Sequence, residues 1–194
     1  MEALFSSTLL VALAEIGDKT QLLAIVLATR FAKPWPIIAG ILAATLANHF
    51  LAALLGHGVA GLLDSPMFRI AVALSFVAMG LWTLIPDTMD DDELKAPSTA
   101  SVFIATVIAF FLVEMGDKTQ VATIALGAQY GHSLADVAMV TAGTTLGMMI
   151  ANVPAVFLGE ALIARIRLDV VRRIAAALFV ALGLWMLGGA LGWW

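Results

Sequence analysis

The sequence predicts an all-α integral membrane protein of six transmembrane helices, arranged as two inverted three-helix repeats. Three observations carry this expectation. Of 194 residues, 62% are hydrophobic and 12% charged, and the mean hydropathy of +1.02 lies far outside the range of a soluble domain. Six charge-poor runs, 3 to 29, 34 to 63, 70 to 86, 100 to 130, 137 to 159 and 174 to 194, compare with the roughly 20 apolar residues a helix needs to cross the hydrocarbon. The second half of the chain also repeats the first. No run alternates with the dyad period of a barrel strand.

The first run carries Glu15-Ile-Gly-Asp-Lys-Thr-Gln21 in its middle and has no basic n-region, so no cleavable signal peptide is expected. The second holds Asn48 and His49, and the third holds Phe76-Val-Ala-Met-Gly-Leu-Trp82. The fourth rewrites the first word as Glu114-Met-Gly-Asp-Lys-Thr-Gln120. The fifth contains Asn152 and Gly143-x-x-x-Gly147, a small-residue spacing that lets helices approach closely, as does Gly188-x-x-x-Gly192 in the sixth. Trp193 and Trp194 are placed to anchor the last helix at the interface.

A shift of 99 aligns the first helix with the fourth, and a shift of 103 brings Gly56 onto Gly159, Arg69 onto Arg172 and residues 76–82 onto 179–185. Three helices per repeat is an odd number, so the second copy must sit upside down in the membrane. The expected units are 1–86 and 100–194, joined by an acidic linker, 87–99, with Asp87, Asp90, Asp91, Asp92 and Glu93. That linker lacks the glycine and ligand spacing of an EF-hand loop and reads as a solvated connector ahead of a weak divalent-collecting or regulatory segment. Arg30, Lys33, Lys95, Arg165, Arg167, Arg172 and Arg173 fall on the side reached after an odd number of crossings, against Arg69 on the other. The basic side marks the cytoplasm, so both termini are expected outside it and the linker within, in a bacterial inner membrane.

A charge at the centre of a spanning helix costs at least about 2.5–3.5 kcal/mol, so two matched charged clusters demand a role. In an unbroken helix Glu15, Asp18 and Lys19 share one face at i, i+3 and i+4, and Glu114, Asp117 and Lys118 repeat the pattern. If the copies meet about a pseudo-twofold axis, four carboxylates and two lysines converge with a formal charge of −2, which a divalent cation neutralises. A purely structural set of buried ion pairs is the weaker reading, because apolar replacements usually cost nothing in stability. With no cysteine, oxygen or imidazole must hold the ion, which points to a hard or borderline divalent such as calcium or manganese. Thr20, Gln21, Thr119 and Gln120 are candidate additional ligands. Gly17 and Gly116 either pack helices or open a turn whose carbonyls join the shell. Lys19 and Lys118 serve charge balance or proton coupling. Asn48, His49 and Asn152 are candidates for a relay or a supporting shell; at the 103 shift His49 aligns with Asn152, whereas a one-residue gap pairs the asparagines. Carboxylates crowded out of water retain protons that an arriving metal must displace, so proton and metal compete.

The twin Glu-x-Gly-Asp-Lys-Thr words at 15 to 20 and 114 to 119, the six helices and the acidic linker resemble the GDT family, which includes Golgi manganese/calcium-proton exchangers and bacterial manganese exporters. The resemblance covers nearly the whole chain. It implies a cation exchanger of the lysine-exporter superfamily, with Glu15, Asp18, Glu114 and Asp117 as the acidic residues of its motifs. It places manganese export in exchange for protons ahead of calcium transport.

Three rivals remain open on the sequence. A passive channel uses an acidic ring but needs no inverted repeat. An amino-acid exporter of the same superfamily would want separated charges rather than clustered carboxylates. An intramembrane aspartyl protease is disfavoured, because Lys19 and Lys118 follow the aspartates and an ammonium there opposes a shared proton. No enzyme activity, cofactor or nucleic-acid partner is expected. The partners are the ion, protons and the bilayer, with a homo-oligomer left open.

Overall fold

A computed structural model describes residues 1–85, 101–159 and 167–193. The acidic linker 87–99, with Lys95 in it, and Arg165 and Trp194 lie outside them. Among the described residues there are eight α-helices: α1 (Glu2–Glu15), α2 (Lys19–Phe31), α3 (Pro34–Ala60), α4 (Pro66–Thr83), α5 (Val102–Glu114), α6 (Lys118–Tyr130), α7 (Leu134–Leu158) and α8 (Leu168–Ala190). No strand occurs among these residues. Four helices, α3, α4, α7 and α8, are long and apolar enough to cross a membrane singly.

The first and fourth runs are not continuous helices; of the two readings of Gly17 and Gly116, the opened turn is the one present. Each is broken inside its charged word, giving α1 with α2 and α5 with α6. The cause is local backbone geometry. Ile16 and Met115 turn extended, and Gly17 (φ +83°) and Gly116 (φ +79°) follow in the left-handed region. Glycine adopts that region without a Cβ penalty. Asp18 and Asp117 then open the next helix from an extended conformation, the position where Asp is strongly favoured. Their N–H groups donate back to the Glu15 and Glu114 carbonyls, at 3.1 Å in each copy. Backbone donors freed at such a break need acceptors. The last residue of each word supplies one: Gln21 Oε1 accepts from Gly17 N–H at 2.9 Å, and Gln120 Oε1 from Gly116 N–H at 2.8 Å.

Without a strong hydrophobic drive in lipid, helices associate through close packing. α1 lies on α7 at Gly143 and Gly147, where an added Cβ would stand 2.6 Å from the Leu4 carbonyl oxygen and 2.7 Å from that of Thr8. α4 lies on α8 through Gly80 and Gly183, each leaving room for the other helix's backbone, with the Phe76 and Phe179 rings 6.3 Å apart beside them.

Two apolar cores result. One gathers Leu23 and Leu27 of α2, Ile37 and Ile41 of α3, Phe110 of α5 and Val156 of α7. The other gathers Leu10 of α1, Phe76 of α4, Leu126 of α6, Val140 of α7 and Phe179 of α8. Along α3 and α7 the stretch between these cores is polar and buried, with Asn48 and His49 on one helix and Thr144, Thr145 and Asn152 on the other. The two helix breaks supply the remaining polar groups. α4 and α8 contribute buried residues to the second core alone.

Candidate cation site

Because α1 ends at Glu15 and α5 at Glu114, both glutamates sit on last turns, and both are fully buried. Glu15, Glu114 and Asp117 each present a carboxylate oxygen, and these oxygens lie within 4.8 Å of one another. Glu15 comes from the first half of the sequence, and Glu114 and Asp117, 99 and 102 residues further on, from the second. Two oxygens held on opposite sides of one ion at bond lengths of 2.3–2.6 Å would be separated by about 4.6–5.2 Å, so the cluster has the dimensions of a single hard cation.

Asp18 is outside that triplet. It pairs with Lys118, Nζ to Oδ1 at 3.6 Å, while Lys19 pairs with Asp117 at 3.5 Å. The ion pairs therefore cross between the two copies of the word. Breaking the helix is the physical reason: Glu15 closes one helix and Asp18 begins another, so the single charged face expected from i, i+3, i+4 spacing does not form. Lys118 also donates to the Ile85 carbonyl beyond the end of α4, at 3.3 Å.

The hydroxyls of both words turn to the same glutamate. Thr20 donates to Glu15 Oε2 at 2.5 Å, and Thr119, from the other copy, donates to Glu15 Oε1. The glutamines spend their oxygens on the glycine N–H groups, as described above, and their amides elsewhere. Gln21 Nε2 donates to the Ala151 carbonyl at 2.9 Å, and Gln120 Nε2 to Asn48 Oδ1 at 2.5 Å. Each glutamine thus ties its broken helix to α7 or α3. Asn48 passes the connection on to the Phe111 carbonyl at 3.4 Å.

His49, fully buried on α3, faces Glu114, with Nε2 3.6 Å from Oε2. Asn152 turns along its own helix, donating to the Met148 carbonyl at 3.1 Å. Sequence spacing did not reveal the crossed lysine pairs, the convergence of both threonines on Glu15 or the Gln120–Asn48 contact. The break itself had a signal, since glycine followed by aspartate is the punctuation of one helix ending and another starting.

An apolar helical protein that seals a carboxylate cluster between broken helices belongs with the membrane transporters of cations, not with enzymes. The comparisons with known proteins agree. The family model for the "Divalent cation/proton antiporter GDT1" matches residues 3–91 and 102–193, and the chain belongs to this family. A protein of Vibrio cholerae serotype O1 carrying the description "Putative manganese exporter" is 50% identical over 184 residues, covering 95% of this chain and 90% of that one. The GDT1-like protein sll0615 of Synechocystis sp. is 29% identical across 100% of this chain and 98% of its own length. GDT1-like protein 3 of Oryza sativa subsp. japonica is 28% identical, over 92% of this chain and 71% of its own. No solved structure matches.

Proposed function

We propose that this chain is a secondary transporter that exports a divalent cation from the cytoplasm, manganese ahead of calcium, in exchange for protons. One observation carries the reading: Glu15, Glu114 and Asp117, from two separate helix breaks, bring carboxylate oxygens within 4.8 Å of one another in a buried layer. The C-terminal ends of α1 and α5 bear the negative ends of their helix dipoles, which favours a cation beside Glu15 and Glu114. Discontinuous helices around a midplane ion site are a recurring transporter device. The family description, and the description of the Vibrio relative as a manganese exporter, support the same assignment.

In this reading the chain crosses the membrane six times, α1–α2 and α5–α6 each acting as one discontinuous span, with units 1–86 and 100–194 inverted about the site and linker 87–99 cytoplasmic. Glu15, Asp18, Glu114 and Asp117 bind the ion. Lys19 and Lys118 hold the aspartates when the ion has left, so the negative cluster never stands uncompensated. The ion is substrate, and no cofactor is needed. Alternating exposure would come from the α4–α8 pair, which contributes to one core only, moving relative to the other described helices.

The test is flux in reconstituted vesicles under an imposed pH gradient, following Mn2+ and Ca2+. Uphill metal movement driven by protons supports the exchanger, and flux only down the metal gradient would mean a channel. Glu15→Gln and Asp117→Asn are expected to stop exchange in protein that still folds. Full exchange in both variants would remove these side chains from the site.

A further inference from the structure

Glu15 and Glu114 hold the same place in their two words but have different surroundings. Thr20 and Thr119 both donate to Glu15, one to each of its oxygens. Among the described residues the two oxygens of Glu114, both buried, accept no hydrogen bond, and neither ring nitrogen of His49 makes one. These two groups face each other across 3.6 Å from Nε2 to Oε2, beyond the reach of a direct hydrogen bond. Orphaned buried groups of this kind are costly. A pair retained in this state has a use for a third party between them.

A cation is the party that serves both lone pairs. Adjacent ligands on a first-row ion with bonds of about 2.1 Å lie about 3.0–3.4 Å apart, so a small closing movement converts the 3.6 Å gap into a shared coordination sphere. At the 103 shift the equivalent of His49 is Asn152, whose amide donates to the Met148 carbonyl and sulfur within its own helix. The nitrogen donor is therefore present in one copy only, and the site is chemically lopsided: hydroxyl-buttressed carboxylate on the Glu15 side, carboxylate with imidazole on the Glu114 side.

We propose that His49 Nε2 is a direct ligand of the transported ion and makes the site select first-row transition-metal divalents over calcium. Calcium takes oxygen ligands, whereas imidazole suits transition metals. This rests on the cation-transport reading and specifies the ion class of that same site.

The experiment uses the purified full-length chain with Mn2+ and Ca2+ as separate probes, comparing wild type, His49→Asn and His49→Gln. Apparent affinities are read alongside pulsed electron paramagnetic resonance of bound Mn2+, in which a coordinated imidazole shows nitrogen coupling. Histidine labelled with nitrogen-15 identifies that coupling as imidazole. The wild type is expected to show histidine coupling. Both variants should lose it, and Mn2+ affinity should fall by about tenfold or more with Ca2+ affinity retained. Mn2+ bound to the wild type without histidine coupling overturns the proposal, whether or not the variants fold, and leaves the transporter reading standing. Unchanged Mn2+ affinity in a folded variant does the same. A wild type that binds neither ion sinks both.

Discussion

Lys19 Nζ lies 3.5 Å from Asp117 Oδ1, so the ammonium of the first charged word is bonded to the acid of the second, and Lys118 returns the contact to Asp18 at 3.6 Å. The lysine and the ion are then rivals for Asp117. Replacing Lys19 by Gln is expected to leave that carboxylate to the ion, lowering KM for Mn2+ uptake while slowing maximal transport through slower release. Initial rates in vesicles across a range of metal concentrations check this. A raised KM would mean that the lysine orders the site rather than competing for it.

Thr20 and Thr119 fix the Glu15 carboxylate from both repeats. Hydrogen bonds to a charged group contribute about 1.5–3 kcal/mol, so the double variant Thr20→Val, Thr119→Val should weaken metal binding by at least tenfold with little change in fold. The serine pair keeps both hydroxyls and is expected to restore affinity. If valine and serine variants bind metal alike, the hydroxyls have no part in holding Glu15.

At the breaks, Gly17→Ala and Gly116→Ala each put a Cβ on a residue with φ near +80°, which costs about 1–2 kcal/mol. The two sites differ in their neighbours. A Cβ at position 17 would stand 2.7 Å from Leu168 Cδ2, and at position 116 none of the described residues lies within 4 Å. Thermal unfolding in detergent should rank Gly17→Ala below Gly116→Ala, with Leu168→Ala removing the difference. A neutral Gly116→Ala would contradict the backbone argument.

The α4–α8 contact predicts a contrast between two helical glycines. Gly80→Ala would press a Cβ to 2.8 Å from the Ala176 carbonyl oxygen, whereas none of the described residues lies within 4 Å of a Cβ at Gly58. Overpacking costs about 1–3 kcal/mol, and Gly→Ala in open helix gains about 0.5–1 kcal/mol. Gly80→Ala should therefore lower the unfolding temperature and Gly58→Ala leave it unchanged or raise it. Equal behaviour would argue against tight apposition of α4 and α8.

The all-helical character, the apolar spans and the doubled charged word were legible in the sequence, because hydropathy and repetition are properties of residues in order along the chain. Glu15, Glu114 and Asp117 were readable as candidates for the same reason: charges in apolar runs stand out. Tertiary structure decided who meets whom. It split the two charged runs at Gly17 and Gly116, turned the glutamines into clamps on the breaks, crossed Lys19 and Lys118 onto the opposite aspartates, gave both threonines to Glu15 and left His49 facing Glu114. Spacing along one helix fixes directions only while the helix continues. Once a positive φ ends it, the partners of each side chain are set by how separate helices pack, which no local pattern records.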